Sequence, residues 1–305
     1  MRRIDAMSRQ FSVNSFQWSV SSLRLNTAHW LLITCFALLL GTASAQTGLS
    51  IQLVPETTAI VPGQPFRVGI YIQHQPGWHT YWRQPGIVGV PTSIAWELPE
   101  GFTAGPLEYP EPESVLMFQI KAQGYERDVL LQTLITPPKE LPLGKKIFLQ
   151  GKATWMCCGN TCHPGHGELS LSLSVAAEAR PDFRWAPLFE KERAAYVRPS
   201  DDWTSSATEK GLQVTLHLTP GPKARPFQPD EKVIFFTEDG WINSDEPQPQ
   251  IVNADGSLTV HLTRADVFLG KTIPSRLEGV VQREGGWLPN ETWRSLGISP
   301  VLERE

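Results

Sequence analysis

Apolar and polar residues alternate along much of this chain with a period of two. Residues 49–54 (LSIQLV) and 66–72 (FRVGIYI) place apolar side chains on alternate positions, the pattern of strands with one buried face. Further strand-like runs lie at 79–82, 93–98, 128–136, 146–155 and 168–175. Turn-forming pairs and triplets punctuate them: Pro62-Gly63, Pro76-Gly77, Pro85-Gly86, Pro99-Glu100-Gly101 and Pro137-Pro138. Short strands at this spacing predict an antiparallel sandwich rather than βαβ units, and a first domain over residues 46–178.

The texture then changes. Residues 185–196 (WAPLFEKERAAY) set Leu188, Glu192 and Ala195 at helical spacing, which predicts a short helix. Pro199 and the polar stretch 200–209 read as a linker, so that 179–210 form a helix and linker. A second β-rich domain is expected over 211–305, with strands at 212–218, 233–237, 250–252, 258–262 and 277–282 and no cysteine. The expected class is all-β, two antiparallel β-sandwich domains joined by a short helix-containing linker.

The amino-terminal stretch breaks the alternation. Residues 30–40 (WLLITCFALLL) are an uninterrupted apolar run, preceded by Arg2, Arg3, Arg9 and Arg24 against a single Asp5, and followed by Gly41-Thr42-Ala43-Ser44-Ala45. A basic region, a short apolar region and a small-x-small site make a secretory signal peptide, with cleavage expected after Ala45. The run is too short for the roughly 20 residues that a spanning helix needs. Residues 1–45, including Cys35, would then be lost, leaving an exported, soluble and most simply periplasmic product. The formal net charge of −4 becomes more negative without the leader's arginines, which leaves no electrostatic footprint for nucleic acid. A chain that is 41% hydrophobic and 10% aromatic has ample material for cores, which argues against disorder.

Three of the four cysteines lie within six residues, in Trp155-Met156-Cys157-Cys158-Gly159-Asn160-Thr161-Cys162-His163-Pro164. A strand leads in and another leads out, which places the cluster at or near a β-hairpin or its loop. Gly159-Asn160 is turn chemistry. A tight three-residue connection would set Cys158 opposite Cys162, within disulfide reach. Closing so small a ring removes little unfolded-state entropy, and strained or exposed disulfides are the readily exchanged ones, so the spacing leans toward redox use.

Other readings stay open on the residues alone. One is a structural disulfide. Another is a Cu(I) or Zn(II) site made of Cys157, Cys158, Cys162, His163 and His166, since thiolates and imidazoles suit both ions. A third is a Cys–His nucleophile, which lacks the usual flanking residues. His163 and His166 are the nearest groups able to tune a thiol, although both read first as ordinary loop histidines. Trp78, Tyr81, Trp82 and Trp155 are candidates for shielding or docking, with sandwich core as the simpler use of at least two.

The run from Ala153 to Pro164, with Glu168-Leu169-Ser170-Leu171 after it, resembles the W-x-x-C-x-x-x-C-x-P segment of DsbD N-terminal-type domains of the thiol:disulfide interchange proteins, and in particular the ScsB-like branch linked to copper tolerance. Pro76-Gly77-Trp78-His79-Thr80-Tyr81-Trp82-Arg83-Gln84-Pro85-Gly86 is similar to the same branch, as is the run from Trp96 to Pro106. Weaker similarity continues through Phe235-Phe236 and Asp239-Gly240-Trp241-Ile242. The resemblance implies immunoglobulin-like sandwiches, a redox pair Cys158 and Cys162, and no cofactor. It also implies that electrons come from a membrane-embedded thiol-disulfide transporter or a thioredoxin-like protein and pass to oxidised exported proteins. Cys157 is additional to the pattern. Full-length relatives continue into transmembrane and thioredoxin-like domains, so a stand-alone exported module is expected here. The remaining functional alternatives are a periplasmic copper-binding protein and a structural sandwich with an inert disulfide.

Overall fold

In the first half of the chain, the alternation becomes paired strands whose inward residues share one core. A computed structural model describes residues 44–305; the expected leader's basic region, its apolar run and Cys35 lie outside the described residues. In the first half the strands are Ser44–Gln46 (β1), Leu49–Pro55 (β2), Phe66–His74 (β3), Thr80–Tyr81 (β4), Ser93–Glu97 (β5), Thr103–Ala104 (β6), Glu113–Met117 (β7), Ile120–Tyr125 (β8), Val129–Thr136 (β9), Lys146–Cys158 (β10) and Cys162–Ser174 (β11). They form a five-stranded sheet in the order β1-β2-β3-β9-β6 and two three-stranded sheets, β11-β10-β5 and β4-β8-β7. Ile51 and Leu53 of β2, Val68, Ile70 and Ile72 of β3, and Leu131 and Ile135 of β9 meet Leu149, Ala153 and Trp155 of β10 in one buried cluster.

A single helix among the described residues, Ala186–Ala194 (α1), follows where the spacing predicts it. Its buried residues are Phe189 and Glu192, rather than a Leu188–Glu192–Ala195 stripe. Glu192 tolerates burial because Arg127 binds both of its carboxylate oxygens, at 2.8 and 3.0 Å.

The second half contains Trp203–Lys210 (β12), Gln213–Pro220 (β13), Val233–Thr237 (β14), Gln250–Val252 (β15), Leu258–Thr263 (β16), Gly279–Arg283 (β17), Ser295–Ile298 (β18) and Leu302–Arg304 (β19). Their sheets run β15-β16-β13-β12-β19 and β14-β17-β18, antiparallel except for the parallel β12–β19 pair. The stretch read as a linker is therefore corrected: residues 203–210 are a strand that pairs with β13 along its whole length. Polar composition hid it. Trp203 and Ala207 face the core, and the buried Glu209 is neutralised by Arg264 and Arg304.

Sheet β14-β17-β18 contributes side chains from its two faces to both cores. The cross-strand pair Phe235 and Val281 belongs to the core of the second half, whereas the adjacent pair Phe236 and Val280 belongs to the core of the first. Period-two alternation thus sends neighbouring residues of one sheet into two separate cores. The halves are joined by packing as well as by the connecting chain. Among the described residues no helix is long and apolar enough to cross a membrane.

Candidate functional site

The β10–β11 hairpin continues two-stranded to its tip, with Lys146 opposite Ser174 at one end and Cys158 opposite Cys162 at the other. The Gly159 N–H donates to the Thr161 carbonyl at 3.0 Å and closes the three-residue turn. Cys158 and Cys162 form a disulfide with their Cα atoms 4.1 Å apart. The cysteines are thus strand residues flanking a tight turn.

This register separates two cysteines that are adjacent in sequence. Successive strand residues point to opposite faces. Cys157 joins Trp155 in the large core, fully buried, whereas Cys158 lies on the other face with Tyr81, Val115 and Ala122. Burial pushes the Cys157 thiol up to about 12, so it stays protonated and unreactive at neutral pH.

The second face is covered by elements distant in sequence. β4 runs beside β8, with Tyr81 opposite Gly124, and the β7–β8 hairpin sets Val115 against Ala122 over Cys158. A Cβ on Gly124 would come within 2.2 Å of the Thr80 carbonyl oxygen, so only glycine lets these strands approach. Gly89, with φ of 105°, sits against the Tyr81 ring. His79 locks β4 to the cysteine-bearing hairpin through two backbone hydrogen bonds with Cys158, at 2.9 and 3.0 Å. Val88, Met117 and Met156 complete the apolar surround, together with the half-exposed Cys162. Cys158 itself has no exposed surface.

One polar line enters this surround. The Tyr81 hydroxyl donates to Cys158 Sγ at 3.1 Å, and His79 Nε2 lies 3.3 Å from the same hydroxyl oxygen. A tyrosine hydroxyl has one hydrogen to give. With that hydrogen on sulfur, His79 must donate its own Nε2–H, which fixes the tautomer. Burial, helped by the nearby His74, lowers the His79 pKa to about 4 and keeps the ring neutral. Burial also pushes the Tyr81 phenol up to about 12, so it remains a donor.

The other expected site residues divide by position. Trp82 and Trp155 are core. Trp78 is half-buried, its ring 5.6 Å from that of His163. His163 is exposed and bonds Thr161 Oγ1 at 2.8 Å, while His166 lies four positions beyond Cys162 opposite Thr154. The five residues considered as a metal set therefore do not converge, and among the described residues no three His, Cys, Asp or Glu side chains are grouped as ligands. Sequence reasoning missed His79 and the β7–β8 cover. Val115, Met117, Ile120 and Ala122 carried a period-two signal, but the turn is Phe118-Gln119, with Phe118 at φ 57° and no Gly, Asn or Pro to mark it.

Residues 50–174 match the family described as thiol:disulfide interchange protein DsbD, N-terminal. Among solved structures, the N-terminal periplasmic domain of ScsB from Proteus mirabilis superposes with a TM-score of 0.58 at 20% identity, covering 85% of this chain and 96% of that one. That likeness bears on the fold. The major pilin subunit BcpA of Bacillus cereus, in its D312A form, reaches a TM-score of only 0.25 at 8% identity, over 84% of this chain and 70% of that one. A comparison with curated protein sequences found no match.

Proposed function

We propose, from the membership of residues 50–174 in the DsbD N-terminal family, that this chain is an exported, periplasmic thiol–disulfide exchange module of the protein-disulfide reductase type. It draws electrons from a membrane-embedded transporter or thioredoxin-like protein and delivers them to oxidised exported proteins. The observation that carries this reading is the asymmetry of the disulfide: Cys162 is half-exposed at a hairpin tip, while Cys158 is fully buried against a hydroxyl donor. On the same reading the two β-rich halves are two immunoglobulin-like sandwiches, each with its own core.

A partner thiolate attacks Cys162 Sγ, the sulfur within reach. The Cys158–Cys162 bond breaks, and Cys158 leaves as a thiolate that accepts the Tyr81 hydrogen bond. The partner's second thiol then attacks the partner sulfur of the mixed disulfide and releases Cys162. Two electrons and two protons have passed to this chain, and the partner holds a new disulfide. In the second half-reaction Cys162 attacks a substrate disulfide and Cys158 resolves the mixed disulfide, returning the chain to its oxidised form.

Titration of the couple against glutathione and thioredoxin buffers tests this. Half-reduction at a potential above about −300 mV, with exchange in both directions, is the expected result. A potential far below that marks an inert structural bond and removes the relay.

A further inference from the structure

The second half grips the elements that cover the disulfide. The contacts begin with the free edge of β14. Its outward backbone groups at Val233, Phe235 and Thr237 are each paired by one glutamine carboxamide, whose oxygen accepts the N–H and whose NH2 donates to the C=O. Gln250 serves Val233 at 2.8 and 3.2 Å, and Gln248 serves Phe235 at 2.8 and 2.9 Å. Thr237 is served from the other half, by Gln123 of β8, at 2.7 and 2.8 Å. Gln123 is 2% exposed, and its NH2 also reaches the Gln84 carbonyl at 2.6 Å. Its own backbone bonds Pro85 and Trp82, the continuation of the β4 segment that carries His79 and Tyr81.

Further contacts hold the same region. Asp245 accepts the Lys121 N–H at 2.8 Å, and Ser244 Oγ donates to the Lys121 carbonyl at 2.9 Å. Ser244 Oγ also receives the Ile87 N–H at 3.2 Å. At the entry to β7, Gln282 donates to the Pro112 carbonyl at 3.2 Å, and Ser295 to Glu111 at 2.6 Å. The sheet that supplies β14 is anchored in both cores, through Phe236 and Val280 on one face and Phe235 and Val281 on the other, so it is a rigid support.

We propose that the second β-rich half is a clamp that holds the β7–β8 hairpin down on the Cys158–Cys162 disulfide, with Gln123 as the positioning residue through which it acts. The inference deepens the relay reading and rests on it for its purpose: hairpin mobility sets how readily a thiol reaches the sulfurs. Val115, Met117 and Ala122 shield them from one side, and among the described residues the attachments of Lys121 and Gln123 beyond their own sheet and the 82–87 segment lie in the second half.

Two full-length variants test it. Gln123→Ala removes the buried link, and Ser244→Ala with Asp245→Ala removes the exposed one without touching either core. Amide hydrogen exchange over residues 115–123, and the second-order rate of disulfide reduction by dithiothreitol, are measured for each. The expected result is exchange faster by on the order of tenfold at the hairpin, the size of one or two lost net hydrogen bonds, with reduction accelerated in step and the β10 amides of Leu149 and Ala153 unchanged. Unchanged hairpin exchange and reduction in either variant overturn the proposal. Equal acceleration at the hairpin and at Leu149 does so too, since that is global loosening. Neither readout involves a protein partner, so failure of the relay shows separately, as absence of exchange with thioredoxin.

Discussion

The Tyr81 hydroxyl lies 3.1 Å from Cys158 Sγ and donates its only hydrogen to it, so the buried sulfur of the pair is the one equipped to carry negative charge. A hydrogen bond to a charged acceptor contributes about 1.5–3 kcal/mol. Tyr81→Phe keeps the ring against Gly89 and deletes this donor. Stopped-flow reduction by dithiothreitol should slow by roughly tenfold, because the leaving thiolate loses part of that stabilisation. A rate equal to that of the unmodified protein would remove Tyr81 from the chemistry.

The exposure difference between the two sulfurs predicts which one is trapped. Cys158→Ser leaves Cys162 at the hairpin tip; with that thiol first converted by Ellman's reagent to its thionitrobenzoate mixed disulfide, a thioredoxin whose resolving cysteine is replaced should displace thionitrobenzoate and stay bound through Cys162. Cys162→Ser leaves Cys158 and Cys157, both buried, and should give little under the same treatment. Non-reducing electrophoresis reads the yields directly, and equal yields contradict the proposed order of attack.

Cys157 should be silent in exchange despite being adjacent to Cys158. Its thiol is buried and raised to about 12, so iodoacetamide should label it only after unfolding. Cys157→Ala should leave the potential of the pair unchanged and lower stability by about 1 kcal/mol for the lost packing, read as a urea midpoint.

The neutral His79 makes stability pH-dependent with a definite sign. Its folded pKa is about 4 against 6.5 for the free side chain. Between those values the unfolded chain binds a proton that the folded chain does not, so stability present above pH 6.5 is lost as the pH falls toward 4. From pH 7 to pH 4.5 the loss from this group is at most about 3 kcal/mol. Urea melts at the two pH values should show that much less acid sensitivity in His79→Gln. An identical acid response in both proteins would exclude His79 as the source.

Much of the first half was legible because one buried face per strand forces period-two alternation. β2, β3 and most of β10 show it directly, and Gly159-Asn160 marks the turn that opposes Cys158 and Cys162. β12 was illegible because one of its inward residues is Glu209, whose charge is cancelled by arginines far away in sequence. The β7–β8 hairpin was missed because its turn uses Phe118 at positive φ instead of glycine or asparagine.

By itself the sequence determined that a hairpin carries the cysteines, that Cys158 and Cys162 face each other across its turn, and that the chain is mostly β. These are local consequences of side-chain periodicity and turn chemistry. Tertiary structure decided the rest. It placed Cys157 and Cys158 in two different apolar clusters, brought the hydroxyl of Tyr81 to a sulfur 77 positions away, and seated Gln123 on a strand edge 114 positions away. Such contacts depend on how separate strands stack, and no local pattern encodes which side chain lies across a packed layer.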